Sequence, residues 1–355
     1  MKAMALYLPA FHQVPINDKW WGEGFTEWDN VRSGEAFFPR HIQPVHPYKY
    51  YDLSKVEDIR RQISLANKYN VAGFIMYHYW FSEKDQIFSK PAEIIRDEIK
   101  DDIEYCFCWA NESWVTTWHG NEPSTILKQT YGPESEWLAH IKYLKTFFDD
   151  SRYSRINSRP VLYIYKPNEI PNYEKMIDFW NNYLEQHGEK PIYIVEYICS
   201  KNTCLSSKKS DAVVEFEPLN TTFFDLGIFN KARRAFCKIT KQIDFQSYDK
   251  LWNAILKRKR TYEGKPIIRG CFVAWDNSPR KERNSMIVQG STPEKFESYL
   301  RQLVHMHRKD VSEELIVINA WNEWSEGAFL EPSEENGFKY LEAVKRVFDE
   351  LEGTK

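Results

Sequence analysis

Eight short apolar runs, separated by longer segments with helical periodicity, constrain the fold of this chain more than any other feature. Most of the runs are continuous rather than alternating in apolar residues, as expected of strands that are buried on both faces. The predicted strands are Ala3–Leu8, Ala72–Tyr79, Ile103–Trp109, Pro160–Tyr165, Pro191–Glu196, Ala212–Phe216, Ile267–Trp275 and Leu315–Ala320. Regular alternation of eight strands with helices predicts the α/β class and a (β/α)₈ TIM barrel.

The segments between these strands carry apolar residues at the spacing of one helical face. The predicted helices are Leu53–Tyr69, Glu134–Phe148, Tyr173–His187, Gln246–Tyr262, Pro293–His307 and Gly337–Leu351. Thr292 precedes the fifth of them and is a suitable N-cap. No repeat or linker interrupts the pattern, so we expect one catalytic domain over residues 1–355, with long βα loops at Ala10–Tyr51 and Asn111–Thr130.

Composition and motifs argue against several kinds of partner. The net charge of −3 gives no general attraction to nucleic acid or to an anionic membrane. No run of about 18 apolar residues is present, so no membrane-spanning helix is expected. The chain has no glycine-rich phosphate loop, and the neighbouring His41 and His46 lack a third ligand, so we expect neither a cofactor nor a metal. Nothing in the sequence indicates an oligomeric state.

The cysteines bear on the cellular compartment. They are Cys106, Cys108, Cys199, Cys204, Cys237 and Cys271. Their spacing fits neither a disulfide framework nor a zinc site, which favours buried free thiols and a reducing compartment. The apolar segment Met4–Leu8 is too short for the core of a signal peptide. Together these features predict a cytoplasmic protein.

One segment, Lys231–Arg260, is locally basic. Ten lysines and arginines stand there against only Asp244 and Asp249. A docking surface for an acidic polymer and a solvated helix face on the barrel exterior both fit this pattern, and the solvated face is the interpretation we favour.

Aromatic residues make up 16% of the chain. Aromatic rings stack on the apolar faces of sugars, although large cores use the same side chains for packing. Composition alone leaves both interpretations open. The tryptophans that could serve either purpose are Trp20, Trp21, Trp28, Trp80, Trp114, Trp118 and Trp275.

Polar and aromatic side chains follow the predicted strands. In a TIM barrel the carboxyl ends of the strands meet at one face, which carries the active site. We therefore expect the residues at these positions, among them Glu215 and Glu217, to lie around one rim. The predicted substrate-binding residues are His12, Glu27, Tyr79, Trp80, Asn111, Glu112, Glu196, Trp275, Asp276, Asn277, Trp321, Asn322 and Trp324.

The segment Ala320–Gly327, directly after the last predicted strand, is the most specific of these. It holds Glu323 and Glu326, three residues apart and flanked by tryptophans. A desolvated carboxylate acquires a raised pKa, as a general acid near neutral pH requires, while its partner stays ionised. The alternative is a helix start, where acidic residues interact favourably with the helix dipole. The polar and aromatic residues at the other predicted strand ends favour the catalytic interpretation.

At these residues the chain resembles a known family. Tyr7–His12, Trp21–Trp28, Tyr79–Phe81, Trp109–Glu112, Asp276–Arg280, Asn322–Gly327 and Leu330–Pro332 are similar to motifs of the WbsX family, which is described as glycosyltransferase-like and related to glycoside hydrolase family 99. The resemblance runs from residue 5 to about residue 345.

The resemblance implies a TIM barrel that cleaves internal α-mannosidic bonds with retention. It implies that Glu323 is a base that deprotonates the sugar 2-hydroxyl to form a 1,2-anhydro intermediate, and that Glu326 is the acid that protonates the leaving oxygen. This differs from the ordinary pair of opposed carboxyls. Ser325 stands where family 99 has a histidine. The resemblance therefore supports the fold more strongly than it supports the substrate.

These observations predict a retaining glycoside hydrolase that acts on a glycan or polysaccharide and resembles an endo-α-mannosidase. A glycosyltransferase of surface-polysaccharide biosynthesis is the first alternative. The chain has no Asp-x-Asp triplet of the kind that binds a nucleotide-sugar diphosphate through a metal, which weighs against it. The second alternative is a non-catalytic sugar-binding barrel, which would tolerate the loss of either glutamate.

Overall fold

In the computed structural model, which describes residues 1–116, 124–199, 208–259, 261–307 and 314–352, eight parallel strands form a closed barrel. Each strand pairs with the next, and the first pairs with the last. The strands are β1 (Lys2–Tyr7), β2 (Val71–Trp80), β3 (Glu104–Trp109), β4 (Arg159–Ile164), β5 (Tyr193–Ile198), β6 (Ala212–Glu215), β7 (Ile267–Phe272) and β8 (Leu315–Asn319). The predicted barrel is confirmed, with strand ends within three residues of those expected.

Helices surround the barrel and occupy its longer loops. They are α1 (Pro15–Trp21), α2 (Glu27–Arg32), α3 (Val56–Lys68), α4 (Lys90–Asp97), α5 (Glu134–Phe148), α6 (Tyr173–Gln186), α7 (Leu219–Phe224), α8 (Ile228–Thr240), α9 (Tyr248–Lys257), α10 (Ser278–Lys281), α11 (Pro293–His307) and α12 (Lys339–Glu352). All six predicted helices are present. The Thr292 hydroxyl caps α11 by accepting from the Lys295 amide at 3.2 Å. Most of the unpredicted helices are one or two turns long, too short to show a helical period.

The strands form the centre of the core. Every residue from Ala3 to Leu8 is at most 3% exposed, because β1 has barrel interior on one side and helices on the other. Complete burial of a large apolar side chain contributes about 1.5–3 kcal/mol. This two-sided burial accounts for the continuous apolar runs from which the strands were predicted.

Three residues considered in the sequence, Trp118, Cys204 and Arg260, lie outside the described residues. The five cysteines within them form no disulfide and are buried, as predicted. Among the described helices, none has the length and apolar character needed to cross a bilayer.

Candidate active site

A tight turn after β8 carries both predicted catalytic glutamates. The two-residue strand Asn322–Glu323 pairs with Ala328–Phe329, and one 3₁₀ turn, Trp324–Glu326, lies between them. Gly327 ends this turn with a φ of +62°, and a Cβ atom there would lie 2.7 Å from the backbone nitrogen of Asp276. Glycine therefore allows the loop that follows β7 to approach the turn closely.

Arg280, in that neighbouring loop, connects three carboxylates. Its guanidinium donates from Nη1 to Glu326 Oε1 at 2.9 Å and from Nη2 to Glu27 Oε1 at 2.6 Å. Glu323 Oε2 lies further away, 3.5 Å from Nη2. The side chains of Arg280, Glu27 and Glu323 are 18%, 5% and 7% exposed. Because three carboxylates, two of them buried, share one guanidinium, one of them is expected to keep a proton near neutral pH.

Glu323 has a raised pKa in this cluster. Burial first, and then the negative charges of Glu326 and Glu27, raise its pKa to about 8 against the attraction of Arg280. Of the three acids it is also the one that Arg280 approaches least closely. A pKa near neutrality suits proton transfer in either direction.

Glu27 is held in place by its own helix and by the turn Trp324–Glu326. Thr26 and Asp29 form a capping box at the start of α2, which places Glu27 in the first helical turn. The Asn30 amide donates to its Oε2 at 3.0 Å, and the Ser325 hydroxyl donates to its Oε1. Ser325, the position that departs from family 99, therefore connects the catalytic turn to the loop after β1.

The end of β2 contributes tyrosines to the site. Burial first, and then the charge of Glu323, raise the pKa values of Tyr77 and Tyr79, so both side chains lie near that carboxylate. Trp80 lies on the other face of the strand, stacked on His140 of α5 with centroids 4.5 Å apart. Successive side chains of a strand alternate between faces. The structure thus brings Tyr79 to the site and places Trp80 in the helix layer, contrary to its predicted contact with substrate.

Glu112 lies on the same rim as the glutamate pair. It is 48% exposed and forms an ion pair of 2.6 Å with Lys166. Burial raises the pKa of Tyr165, and the charges of Glu112 and Glu326 add to that shift. Both carboxylates therefore lie near this phenol. The predicted convergence of Glu112 with the catalytic turn is therefore present in the structure.

Two predicted binding residues, Asn111 and Asn322, instead connect neighbouring strand ends. The Asn322 side chain accepts from the Leu8 amide at 2.7 Å and donates to the Leu8 carbonyl at 2.9 Å. Asn111 makes the same pair of bonds with the backbone of Lys166, at 2.8 and 2.7 Å. Both side chains are fully buried. The structure gives them a positioning role beneath the rim.

Trp321 and Trp324 also lie below the rim, at 0% and 1% exposure. The Trp321 ring packs 5.0 Å from that of Phe74. Trp324 donates from Nε1 to Glu331 at 2.7 Å and stacks on Phe329. At this degree of burial neither ring can contact a sugar, contrary to the prediction. Both rings instead pack beneath the turn Trp324–Glu326.

The carboxylates predicted at the ends of β5 and β6 face the helix layer. Burial raises the pKa of Glu196 to about 7, even though Tyr173 of α6 and Lys265 act to lower it. Glu215 and Glu217 form ion pairs of 2.6 and 2.7 Å with Arg258, which is 1% exposed. These three acids do not join the predicted rim, because each points outward from its strand.

The loop after β7 separates the site from neighbouring cavities. Burial favours a raised pKa for Asp276, but hydrogen bonds from His41, Gln43 and Ser278 outweigh it and lower the pKa. Trp275 and Asp276 line a cavity of about 510 Å³ on the side of His41. Asn277 accepts from the Met286 amide at 2.9 Å and lines a different cleft. These three predicted residues therefore form walls beside the glutamate pair.

His12 begins a row of aromatic side chains along the rim. Burial lowers its pKa to about 4, so the imidazole is neutral at physiological pH. Its ring meets Phe88 edge-on, and Phe88 contacts both Tyr79 and Trp114. Trp114 in turn packs 5.4 Å from Trp21. Partly exposed rings in such a row are suited to stacking on sugars.

Comparison with known proteins agrees with this geometry. A family model described as "Glycosyltransferase WbsX" matches residues 3–344. The chain belongs to the WbsX family. Two relatives in Xanthomonas campestris pv. campestris, both described as uncharacterized protein WxcX, are 29% and 30% identical over 350 residues in strains B100 and ATCC 33913. This WbsX-family chain spans 49% of their length, so about half of each relative has no counterpart in it.

Solved structures share the fold of this WbsX-family barrel. A "glycoside hydrolase-like protein" matches with a TM-score of 0.61 and 14% identity, over 98% of this chain and 93% of its own. The family 99 endo-α-mannosidase of Bacteroides thetaiotaomicron matches with a TM-score of 0.55 and 15% identity, over 99% and 97%. At these identities the likeness establishes a common fold.

Sequence analysis of this WbsX-family chain missed residues that the geometry brings to the site, above all Arg280, Tyr77, Phe88 and Lys166. Arg280 stands in the motif Asp276–Arg280, but nothing local in the sequence marks it as the partner of carboxylates that include the distant Glu27. Clustered buried acids need a cation or a metal to balance their charge. This requirement is the sequence signal that points to Arg280. Among the described residues, no group of three potential metal ligands occurs.

Proposed function

We propose that this chain is a retaining glycoside hydrolase acting on a glycan or polysaccharide, with Glu323 and Glu326 as its proton-transfer pair. The observation that carries the proposal is the bridging of both acids by Arg280 at the barrel rim, with the pKa of Glu323 raised to about 8. The aromatic row beside them supports a carbohydrate substrate. The likeness of the barrel to the fold of glycoside hydrolases supports the same conclusion.

The family motif assigns the roles. Glu323 takes the proton of the sugar 2-hydroxyl, and the 2-oxygen displaces the glycosidic oxygen at the anomeric carbon. Glu326 gives its proton to that leaving oxygen. Water then opens the 1,2-anhydro ring, Glu326 takes the proton of the water, and Glu323 returns its proton to the 2-oxygen. The pair starts and ends with one proton, and the sugar keeps its anomeric configuration.

The electrostatics of the site fit a shared proton. Glu326 is one of the charges that raise the pKa of Glu323, so protonation of Glu326 would lower the pKa of its partner. A proton can therefore pass between the two acids without changing the net charge beside Arg280. In the free protein the raised pKa favours the proton on Glu323, so the roles implied by the family motif require that proton to pass to Glu326 before the first step.

Two variants distinguish these assignments. With Glu326 as the acid, Glu326→Gln should lose about 10²–10⁴-fold in rate on alkyl mannosides but little on aryl mannosides, whose leaving groups need no proton. Glu323→Gln should slow both substrates, and a 2-deoxy substrate should be inert. Glu83→Gln, an exposed acid in the loop after β2, is the matched control. The reverse pattern would exchange the roles, and full activity in both variants would remove the catalytic assignment.

A glycosyltransferase is the second candidate, and the description of the matching family favours it. Arg280, Lys281 and Lys166 supply cations at the rim that could bind a diphosphate without a metal. Incubation with nucleotide sugars and a mannose-containing acceptor, followed by mass spectrometry, tests it. A product extended by one sugar, together with no hydrolysis of mannosides, would favour the transferase. Binding of glycans without either reaction would favour the sugar-binding barrel.

A further inference from the structure

Helix α8 has its apolar side in solvent. Ile228, Phe229, Phe236 and Ile239 are 77%, 89%, 58% and 82% exposed. At 100° per residue these four side chains fall within one apolar stripe. In an ordinary surface helix of a globular protein such a stripe faces the core, so α8 is turned outward.

The opposite side of α8 is held to the protein by polar groups. Arg233 and Arg234 both donate to Asp244, the latter at 3.1 Å. Asn230 and Cys237 are the buried residues of the helix. Since these contacts fix which side faces inward, exposure of the apolar stripe belongs to the folded structure.

Basic residues accompany the stripe. Of the four basic residues of α8, Arg233 and Arg234 are paired with Asp244 on the inward side, which leaves the exposed Lys231 and Lys238, and the helix has no acidic residue. Lys231 and Lys238 line a cleft of about 730 Å³, together with Asn277 and Lys281 of the loop after β7. Burial lowers the pKa of Lys281, and the negative charge of Glu326 partly offsets this shift, so the two side chains lie near each other. The stripe and its lysines therefore lie beside the candidate active site.

We propose that α8 docks the barrel on the surface of an anionic phospholipid bilayer. Apolar side chains on one side of a helix, flanked by lysines, are the combination that inserts into the headgroup region of such a surface. The positive charge selects a bilayer over an uncharged apolar partner, because lysines gain little against an uncharged apolar surface. The net charge of −3 gives no general attraction to such a surface, so the attraction proposed here comes from the local lysines. The proposal does not depend on the reaction catalysed.

Sedimentation with vesicles tests the proposal. We expect the protein to sediment with vesicles of equal parts phosphatidylcholine and phosphatidylglycerol, and to stay in solution with phosphatidylcholine alone. Binding should weaken as salt is raised, since the Debye length falls to about 3 Å at 1 M. Equal binding to both vesicles, or to neither, would overturn the proposal.

Variants of exposed residues locate the surface. Lys231→Glu with Lys238→Glu should lower the partition coefficient at least about twentyfold, because each lysine near an anionic surface contributes about fivefold. Phe229→Ser with Ile239→Ser should lower it at least about tenfold, because buried hydrocarbon is lost. Met306→Ser, a 45% exposed apolar residue on α11, is the control and should bind like the wild type. Wild-type binding by either double variant would refute the assignment to α8.

Light scattering after gel filtration tests the rival occupant, a second copy of this chain. We expect the wild type and the Phe229→Ser, Ile239→Ser variant to have the same mass in solution. A wild-type dimer that this variant converts to a monomer would show that the stripe is a protein interface instead.

Discussion

Replacing Arg280 by methionine removes the guanidinium that bridges Glu27, Glu323 and Glu326 but keeps most of the side-chain volume. Removing one partner from a buried ion pair costs about 3–5 kcal/mol, because the remaining charges are left uncompensated. The acids can avoid this cost by binding protons. Their pKa values in the folded state then rise, and the loss of stability becomes dependent on pH.

The sign follows from proton linkage. A carboxyl with a raised folded pKa costs nothing below its unfolded pKa, about 4.5, and destabilises the fold as pH rises toward the folded value. One additional acid of this kind changes stability by about 1.4 kcal/mol per pH unit. Between pH 5 and pH 8 that amounts to about 4 kcal/mol. We therefore expect Arg280→Met to be nearly neutral at pH 5 and destabilising by about 4 kcal/mol at pH 8.

Urea unfolding followed by tryptophan fluorescence at the two pH values measures this difference. Arg283→Met is the matched control. Arg283 is exposed and lies over the ring of Phe37, so its replacement should cost no more than about 0.5 kcal/mol at either pH. An equal loss at pH 5 and pH 8 for Arg280→Met would attribute the cost to packing. No loss at pH 8 would show that the acids do not depend on Arg280.

Three further predictions separate residues of the site from residues that support it. Tyr79→Phe should lower the rate of hydrolysis severalfold and leave the unfolding midpoint unchanged, whereas Trp80→Leu should destabilise the fold by about 2–4 kcal/mol and leave the KM unchanged. Asn322→Ala should cost about 2–4 kcal/mol in urea unfolding, because it leaves two buried backbone groups of the first strand end without partners. Gly327→Ala should lower the rate more than stability, since its Cβ would displace the loop at Asp276, and crystal structures of both forms would reveal an unmoved loop if this reasoning is wrong.

The location of the turn that carries Glu323 and Glu326 could be predicted because it depends on local sequence. Glu323 and Glu326 follow the last apolar run, and the carboxyl end of a barrel strand lies at the active-site face by the geometry of the fold. The same reasoning placed Glu112 on the rim correctly. It failed for Glu196, because β5 extends to Ile198 and the side chain of Glu196 faces α6.

Side-chain direction was the main limit of prediction. A strand with apolar residues on both faces gives no alternation from which inside and outside can be told. Tyr79 and Trp80 are adjacent in sequence and equally suited to sugar contact by residue type. Only the stacking of Trp80 on His140 shows which of the two faces the helices.

The amino-acid sequence was sufficient to predict the barrel, because two-sided burial of eight strands requires eight continuous apolar runs. It was also sufficient to identify the turn that carries the paired acids. Tertiary structure alone decided the electrostatics of that turn. Glu27 and Arg280 lie far from each other in sequence, and only closure of the barrel brings the loop after β1 beside the loops after β7 and β8. The raised pKa of Glu323 follows from that meeting, because burial and neighbouring charge are properties of the folded chain.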